Sequence, residues 1–531
     1  MRKIARATLA VALLGSLVPA SGVAAAGSPV VEVTPEVRHD TSPPLRGMQP
    51  ASPTAHQLTE HPIRLTRSFA GPDLPDGALQ SSPAGPAAPT TPGLGFAGVG
   101  NGDYGFAPDA APPDTNGAVG ATQYVQWVNE SFAVFDKSTG AKVLGPLKGN
   151  SLWAGFGGDC QANNDGDPIV QYDKAAGRWV MTQFSVSTTP YLECVAVSQT
   201  SDATGAWNRY AFSYGTTQFN DYPKLSVWPD AYYVTYNIFT NAQSYAGPKA
   251  CALDRAAMIA GTAATQQCVQ LGSSVGPLLP SDLDGSTAPA ASEPNYLLTM
   301  GTSTSLNLYK FKVNWATPAS TTLTGPTAIT VPSYTLPCNG GGTCITQPST
   351  SQRLDSLGDR LMYRLAFRKT ADGVEHMVVN HSVKVSGNNR NQVVGVRWYE
   401  LRSPDNGATW SRYQSGTYSP DSTNRWMGSV AMDKNGSIAV GYSASSGSVF
   451  PSVRYAVRAP ADALGTLTSE TIAKAGGGSQ LANLSRWGDY SAMTVDPVND
   501  CTFWFTTEYQ KANGTFNWST WITSFKVNNC Q

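Results

Sequence analysis

The chain has 531 residues, and its 36 basic and 37 acidic side chains give a formal net charge of −1. This balance, with no block of like charge, argues against a basic surface that binds nucleic acid. Only 14% of the residues are charged, while Gly, Pro, Trp and Tyr are frequent. Such a composition is typical of a stable extracellular β-protein with many turns.

Residues 1–26 predict a secretory signal peptide. Basic residues start the segment, an apolar run covers residues 7–18, and three alanines then supply a small-residue cleavage site. The apolar run is shorter than the roughly 20 residues of a membrane-spanning helix, and no later run reaches that length. We therefore expect a secreted protein without a membrane span.

Residues 27–100, called the leader below, are rich in Pro, Ala, Gly, Ser and Thr. This composition predicts a propeptide or a flexible linker rather than a domain. Within the leader, residues 61–69 (HPIRLTRSF) alternate well enough to predict a strand that pairs with the far end of the chain. Residues 101–531 are predicted to form the folded domain.

From residue 112 onward one unit recurs: a polar cluster, a short apolar strand, a turn and further strands. Such units start at residues 112, 163, 219, 281, 353, 424 and 486. Four-stranded units that cannot bury both faces alone stack radially, so the pattern predicts an all-β, seven-bladed β-propeller. Six or eight blades are the alternatives. The last unit is one strand short, and we expect the N-terminal segment to supply that strand.

The chain has eight cysteines, an even number that predicts disulfide bonds in an exported protein. No Cys-x-x-Cys spacing occurs, which argues against a metal or redox site. We expect each cysteine to pair with its neighbour along the chain. The predicted pairs are Cys160–Cys194, Cys251–Cys268, Cys338–Cys344 and Cys501–Cys530.

Histidine is scarce, with five in the chain. His39, His56 and His61 lie in the leader. His376 and His381 are five positions apart in a predicted strand, so they face opposite sides of it. A zinc site with three histidines cannot be built from this set, and few histidines are available for a Ser-His-Asp triad.

Residues 403–410 (SPDNGATW) form a polar turn between two predicted strands. They resemble the Asp-box, or BNR repeat, of sialidase-like β-propellers, and residues 200–207 (TSDATGAW) resemble a degenerate second copy. The chain also resembles secreted bacterial propeller proteins that open with PPDTNG. In Asp-box families the motif lies at an outer hairpin of a blade, so the resemblance implies an architectural role. The matching residues are Ser403, Asp405, Gly407, Thr409 and Trp410.

Residues that precede the first strand of each blade are predicted to converge at one mouth of the central channel. In this chain these residues are aspartates and arginines, so we expect a polar site there. The aspartates are Asp114, Asp165, Asp167, Asp221, Asp282, Asp284, Asp355, Asp359 and Asp489. The arginines are Arg353, Arg425 and Arg486.

The three arginines occupy matching places in consecutive units, and guanidinium groups from three blades would bind a carboxylate or phosphate. Sialidases likewise hold the substrate carboxylate with three arginines from different blades. The arginine trio favours an acidic sugar or another anionic substituent, and Asp355, Asp359 and Asp489 are also predicted to bind the substrate. The chain lacks the Arg-Ile-Pro motif of sialidases, which argues against sialic acid itself. The alternative is that each arginine pairs with a nearby aspartate and braces a loop.

Two carboxyl groups that face one bond can cleave a glycoside, one as the acid and the other as nucleophile or base. Asp167 and Asp221 are the best candidates, followed by Asp114; the alternative is that these residues cap turns. A sialidase-like enzyme would use a Tyr–Glu pair as nucleophile, a role open to Tyr490 and Glu508.

Two acidic segments also predict structural calcium. Asp165 and Asp167 lie in NNDGD, and Asp282 and Asp284 lie in SDLDG, where oxygen ligands flank a glycine. Neither segment completes an EF-hand. Tryptophans near the blade entrances either stack on sugar rings or pack between blades. These are Trp127, Trp153, Trp228, Trp426 and Trp487.

The sequence therefore predicts a secreted, monomeric glycoside hydrolase that acts on a polysaccharide and requires no cofactor. A non-catalytic lectin is one alternative, but its binding loops would be alike in every blade, whereas these loops differ. A propeller polysaccharide lyase with a tyrosine base is the other.

Overall fold

The computed structural model describes residues 30–48, 58–62, 64, 66, 73–82, 90–388, 390–528 and 530. The predicted signal peptide lies outside these residues. The described chain consists mainly of antiparallel β-sheets, with a few short helical segments. None of the helices within these ranges is long and apolar enough to cross a membrane.

Six short strands come first: β1 (Val31–Pro35), β2 (Arg38–Thr41), β3 (Thr59–Glu60), β4 (Leu79–Gln80), β5 (Thr90–Ala97) and β6 (Ala110–Ala111). Sheet 1 contains β7 (Asn116–Val119), β8 (Gln123–Val128), β9 (Ser131–Asp136) and β10 (Lys142–Lys148). Sheet 2 contains β11 (Ile169–Asp173), β12 (Arg178–Ser185), β13 (Leu192–Ser198) and β14 (Trp207–Ser213). Sheet 3 contains β15 (Gln218–Val227), β16 (Tyr232–Thr240), β17 (Ser244–Leu253) and β18 (Thr265–Gln270).

Sheet 4 contains β19 (Leu279–Leu283), β20 (Asn295–Met300), β21 (Ser305–Lys312) and β22 (Thr322–Thr330), and a separate pair follows, β23 (Thr343–Ile345) with β24 (Leu354–Asp355). Sheet 5 contains β25 (Met362–Lys369), β26 (Glu375–Asn388), β27 (Asn391–Ser403) and β28 (Ser411–Tyr418), and β25 pairs in parallel with β19, which joins sheets 4 and 5. Sheet 6 contains β29 (Asn424–Met432), β30 (Ile438–Ser445), β31 (Ser452–Arg458) and β32 (Thr471–Lys474). Sheet 7 contains β33 (Ala492–Val495), β34 (Phe503–Gln510) and β35 (Trp518–Val527).

The short helices lie in loops: α1 (Asp159–Ala162), α2 (Arg255–Ala260) and α3 (Cys338–Gly341). Single 3-10 turns cover Leu45–Gly47, Asp103–Gly105, Gly149–Trp153 and Pro318–Ser320.

The sheets are apolar on both faces because neighbouring sheets cover them. Strand β13, with the sequence LECVAVS, is buried along its whole length. Its Val195 and Val197 belong to one core cluster, whereas Cys194 and Ala196 belong to another. Successive side chains of a strand point to opposite faces, so each face packs in a different core between two sheets.

The first strands of the seven sheets lie side by side around a central axis. These strands are β7, β11, β15, β19, β25, β29 and β33; each contacts the next, and β33 contacts β7, which closes the ring. Sheets of about four strands arranged radially around a closed ring form a β-propeller. The predicted all-β propeller class is therefore confirmed, and the number of blades remains the prediction made above.

Leader strands complete the edges of four sheets. Strand β1 pairs with β18, β2 with β14, β4 with β28, and β5 with β35 as the fourth strand of sheet 7. The leader thus supplies the missing strand, but with residues 90–97 rather than 61–69. The described residues of 61–69 lie outside any strand. Backbone ladders hold these short leader segments against the propeller, so the described parts of the leader are not a free linker.

The structure contains the four predicted disulfides, which stabilise loops and sheet edges. Cys251 and Cys268 face each other across β17 and β18, and Cys501–Cys530 ties the chain end to the β33–β34 turn. Cys160–Cys194 joins α1 to β13, and Cys338–Cys344 closes a short loop. Several disulfides fit an oxidising, extracellular location.

The Asp-box-like segment forms the turn between β27 and β28, at the outer end of sheet 5. The Asp405 carboxylate accepts hydrogen bonds from Ser403 Oγ (2.7 Å), the Thr409 N–H (2.9 Å) and Thr409 Oγ (2.6 Å). These bonds, the Thr409 hydroxyl first, lower the pKa of Asp405 to about 2. The TSDATGAW segment similarly joins β13 and β14, where Asp202 caps Thr204. Both segments therefore act as hairpin turns.

Replacing Gly407 with alanine is expected to lower the free energy of unfolding by about 1–3 kcal/mol. Gly407 has φ +73°, and an added Cβ would lie 1.4 Å from the Tyr296 hydroxyl. That hydroxyl donates to Glu293 Oε1 at 2.7 Å, so it has little freedom to move. Gly373→Ala is the matched control, because Gly373 has φ +84° but no atom near its added Cβ. Equal losses in urea unfolding of the two variants would contradict the predicted clash.

Candidate functional site

Several residues at the entrances of the first strands, where these strands begin at the axial mouth, have a left-handed backbone conformation. Asp114, Asp167 and Asp489 have φ of +44°, +46° and +60° and stand just before β7, β11 and β33. Aspartate tolerates this conformation better than most residues because its short polar side chain bonds locally. Tyr222 and Leu357, at φ +56° and +41°, are larger and therefore strained. This repeated turn points the three carboxyl groups toward the axis.

An axial cavity of 310 Å³ opens at this mouth. Its volume lies near the lower end of small-ligand sites, which is about 300 Å³. Carboxyl groups line it on several sides, arginines lie at one edge, and Phe184 and Phe219 form an apolar wall. The ionisable lining residues are His61, Arg64, Asp114, Glu130, Asp165, Asp167, Asp221, Tyr222, Arg360, Arg486 and Asp489. The structure thus brings together Asp114, Asp167, Asp221 and Asp489 as predicted.

Asp114 and Asp167 are neighbouring carboxyl groups in the cavity lining. Asp114 is 3% exposed, and burial together with the charges of Asp167 and Asp489 raises its pKa well above the ordinary value. Asp114 therefore holds its proton more firmly than an ordinary aspartate. Asp167 Oδ2 accepts the Tyr222 backbone N–H at 2.9 Å. This hydrogen bond fixes the orientation of the Asp167 side chain in the cavity lining.

Two further carboxyl groups in the cavity hold protons near neutral pH. Burial, with the charge of Asp167, raises the pKa of Asp221 to about 7. Burial, with the charges of Asp109 and Asp165, raises the pKa of Glu130 to about 8. The cavity therefore contains two carboxylic acids that can give up protons near pH 7.

Tyr490 is near the cavity but does not line it. It is 1% exposed, and burial raises its pKa well above 10, so it holds its proton firmly. Its ring lies 3.7 Å from Nζ of Lys224, whose other side faces the Tyr222 ring at 3.3 Å. Glu508 is also fully buried and accepts the Gly488 N–H at 2.8 Å. The pair suggested as a nucleophile lies in the wall behind the cavity.

The three predicted arginines do not meet. Arg486 lines the cavity, whereas Arg425 is fully buried inside sheet 6, bonded to Asp421 and Glu470. Arg353 precedes β24 and does not line the cavity. The three arginines therefore do not form the predicted clamp, because the Arg425 guanidinium lies between Asp421, Glu470 and the Tyr418 ring, outside the cavity lining.

Arg486 and Arg360 pair with nearby aspartates and brace loops, which is the alternative given above for the predicted arginines. Arg486 donates to Asp355 and, at 2.5 Å, to Asp489. Asp359 is buried and binds Arg360 through both of its oxygens, at 2.6 and 3.0 Å. The three aspartates predicted to contact substrate thus neutralise guanidinium groups instead.

Asp282 and Asp284 lie at the other end of the channel. Asp282 is within β19 and Asp284 follows it, so they mark the end of a first strand rather than its entrance. Both bind Arg364, at 2.5 and 2.8 Å. Among the described side chains, no group of three or more His, Cys, Asp or Glu residues is placed to hold a metal ion. Asp165 instead accepts the Val186 N–H at 2.6 Å. The acidic spacing that suggested calcium therefore serves ion pairs and a turn.

The sequence analysis missed several lining residues. Arg360 lies just before β25 in the same segment as Arg353, and placing the strand start correctly would have selected it. His61 and Arg64 were set aside with the leader, although both line the cavity. Glu130 follows β8, and no signal in the sequence marks it. The five tryptophans near blade entrances are all buried, which supports packing over sugar stacking.

Asp221→Asn is expected to weaken the pH dependence of stability. Between about pH 4 and about pH 7 the folded protein holds the Asp221 proton while the unfolded chain has released it, so stability falls as pH rises. The expected slope is about 1 kcal/mol per pH unit. The amide carries no such proton, so the variant should gain stability relative to the parent as pH rises. Urea unfolding at several pH values measures this difference, and parallel curves for the two proteins would contradict it.

No protein-family model matches the chain, and no curated protein matches its sequence. Several solved structures align with it. An α-L-arabinanase from Penicillium chrysogenum, complexed with arabinobiose, is 10% identical with a TM-score of 0.36, and the alignment covers 82% of this chain and 100% of that chain. An exo-β-1,3-galactanase from Clostridium thermocellum is 11% identical with a TM-score of 0.31, covering 78% and 91%. A Hadza microbial sialidase is 10% identical with a TM-score of 0.24, covering 79% and 75%.

Likenesses this weak carry no argument about activity. The sequence resembles an Asp-box group of propellers, and membership of the chain in that group stays a prediction. Function is therefore inferred from the axial cavity alone.

Proposed function

We propose that this protein is a secreted glycoside hydrolase that cleaves a neutral glycan at the axial cavity. The observation that carries the proposal is a pair of carboxyl groups in one cavity lining, Asp167 and Asp221. Asp221 keeps its proton up to about pH 7, and the Tyr222 N–H holds Asp167 in place at 2.9 Å. Glycoside cleavage uses two carboxyl groups, one as the acid and the other as nucleophile or base.

The chemistry assigns one role to each group. Asp221 donates its proton to the glycosidic oxygen as the bond to the anomeric carbon breaks. Asp167 attacks the anomeric carbon, or removes a proton from the water that does so. Asp114 lines the cavity but is only 3% exposed, and it acts as a positioning residue beside Asp167. The wall of Phe184 and Phe219 would pack against the apolar face of a sugar ring.

A neutral glycan suits the charge balance of the cavity better than an acidic one. The guanidinium groups of Arg360 and Arg486 already have carboxylate partners, Asp359, Asp355 and Asp489. An anionic substrate would have to compete with these buried ion pairs and would also face Asp167. The acidic substrate that three free arginines predicted therefore has no support in this geometry.

The two alternatives lead to different products. A lyase needs a strong base, but burial raises the pKa of Tyr222, the tyrosine that lines the cavity, so it holds its proton. A lectin would bind a glycan without cleaving it.

The test is a screen of the purified protein against neutral and acidic polysaccharides. New reducing ends from a neutral polymer are expected, without the ultraviolet absorbance of unsaturated products. Unsaturated products would favour the lyase. Binding without any product on every polymer would favour the lectin and overturn the proposal.

A further inference from the structure

A short part of the leader lies across the axial mouth. It consists of the described residues 58–62, 64 and 66, and is called the strap below. Thr59, His61, Pro62 and Arg64 line the same cavity as the acids. This position was not predicted, because the composition of the leader indicated a linker.

The strap contacts the entrances of three sheets and an outer turn of a fourth. Its β3 pairs with β6 before sheet 1. Glu60 Oε1 accepts the backbone N–H groups of Ser485 and Arg486, at 3.1 and 3.3 Å, before sheet 7. Thr66 donates its N–H and its hydroxyl to Asp359 at 3.3 Å, before sheet 5. Arg64 donates to a carbonyl in the β16–β17 turn of sheet 3 at 2.6 Å.

Backbone carbonyls of the strap occupy the two arginines at the cavity edge. Arg486 Nε donates to the carbonyl of His61 at 2.8 Å, and Arg360 donates to the carbonyl of Arg64 at 2.9 Å. Arg360 gives other bonds to the adjacent Asp359, and Arg486 gives its others to Asp489 of its own loop and to Asp355. The donors that face the mouth are therefore satisfied by neutral oxygen acceptors of an extended chain.

The strap is held by fewer ladder pairs than the leader strands β1, β2 and β5. Leu58 is 59% exposed, and Thr59, Glu60 and Pro62 are also exposed. Its ladder has two residue pairs, whereas β5 forms a long ladder with β35 inside sheet 7. Segments with few buried apolar contacts open at low free-energy cost. The strap can therefore leave while β1, β2 and β5 remain paired.

We propose that the strap is a removable internal occupant of the mouth, in the place where an extended glycan binds. A glycan would offer hydroxyl and ring oxygens to Arg486 and Arg360 where the strap offers carbonyl oxygens. The idea that a glycan replaces the strap rests on the proposed function. The idea that the strap occupies the mouth and can be removed is independent of that function.

The experiment releases the strap from the full-length chain. Recognition sequences for a site-specific protease are placed within residues 49–57 and within residues 67–72, so that cleavage at both frees the strap. Variants with only one of the two sequences are the controls, because they are cut once and keep the strap tethered. Mass spectrometry after gel filtration shows whether the peptide has left.

The first readout is independent of activity. Carbodiimide-promoted amine labelling of carboxyl groups, located by mass spectrometry, is expected to rise several-fold at Asp167 and Asp489 after release. Asp405, which is exposed in the outer turn, serves as the internal standard. In the uncut protein, Arg64→Ala should give a smaller rise in the labelling of Asp167 and Asp489. Arg46→Ala is the control and should give no rise, because Arg46 lies in another leader segment, where it pairs with Asp202.

Each outcome decides one of the two proposals. Unchanged labelling after the peptide has left, or retention of the doubly cut peptide through gel filtration, would overturn the strap proposal. Equal rates of glycan cleavage before and after release would also overturn it. Increased labelling without cleavage of any glycan would leave the strap proposal standing and count against the proposed hydrolase.

Discussion

Asp167→Asn is expected to lower the rate of glycan cleavage by about 10³-fold or more, with the protein still folded. The amide can neither attack the anomeric carbon nor deprotonate water. Initial rates of reducing-end formation on the polymer found in the screen measure the loss, and circular dichroism shows that the fold is retained.

Asp136→Asn is the matched control for this prediction. Asp136 is an exposed aspartate that caps the β9–β10 turn through Ser138 and Thr139, far from the cavity lining, so this variant should keep full activity. Asp221→Asn provides a second comparison, because loss of the acid should matter least on substrates with a good leaving group. An Asp167→Asn variant as active as the parent would show that this carboxylate has no part in the reaction.

Arg364→Met is expected to lower the free energy of unfolding by about 3–5 kcal/mol. The guanidinium is 2% exposed and binds Asp282, Asp284 and the carbonyl of Met493. Removing it leaves the buried Asp282 without a cation and leaves Asp284 with Lys174 alone, at 3.8 Å, and uncompensated buried charges are costly. Guanidinium chloride unfolding measures the change.

A double-mutant cycle separates the ion pairs from the loss of packing. Arg412→Met is the control for the substitution itself, since Arg412 is exposed on β28 and its loss should change stability by no more than about 0.5 kcal/mol. Adding Asp282→Asn to Arg364→Met should recover part of the lost stability because one unpaired charge is removed. If the Arg364 and Arg412 variants are equally stable, the axial ion pairs do not stabilise the fold.

Features encoded in consecutive residues were predictable from the sequence. The recurring short strands and turns indicated an all-β propeller because period-2 patterns and turn residues act over a few positions. The Asp405 turn folds through bonds among its own neighbours, so its role as a hairpin connection was also accessible. The four disulfides joined cysteines that are neighbours along the chain.

Strand boundaries limited the prediction of the site. An aspartate before a first strand and one after it look alike in the sequence, yet they lie at opposite ends of the channel. The sequence predicted the correct end of the channel for Asp114 and Asp167. It predicted the wrong end for Asp282, because β19 begins earlier than expected. The direction of a side chain changes with each position along a strand, which explains why Arg425 faces Glu470 rather than the axis.

The sequence by itself determined the class of the fold and the acidic character of the strand entrances, because both depend on local pattern and composition. Only the tertiary structure decided which acids line one cavity, which arginines are neutralised and where the leader lies. Those properties depend on distances between residues far apart in the chain and on burial, which sets the strength of each charge interaction. Arg486 shows the difference, since its partners are Asp355, Asp489 and the carbonyl of His61.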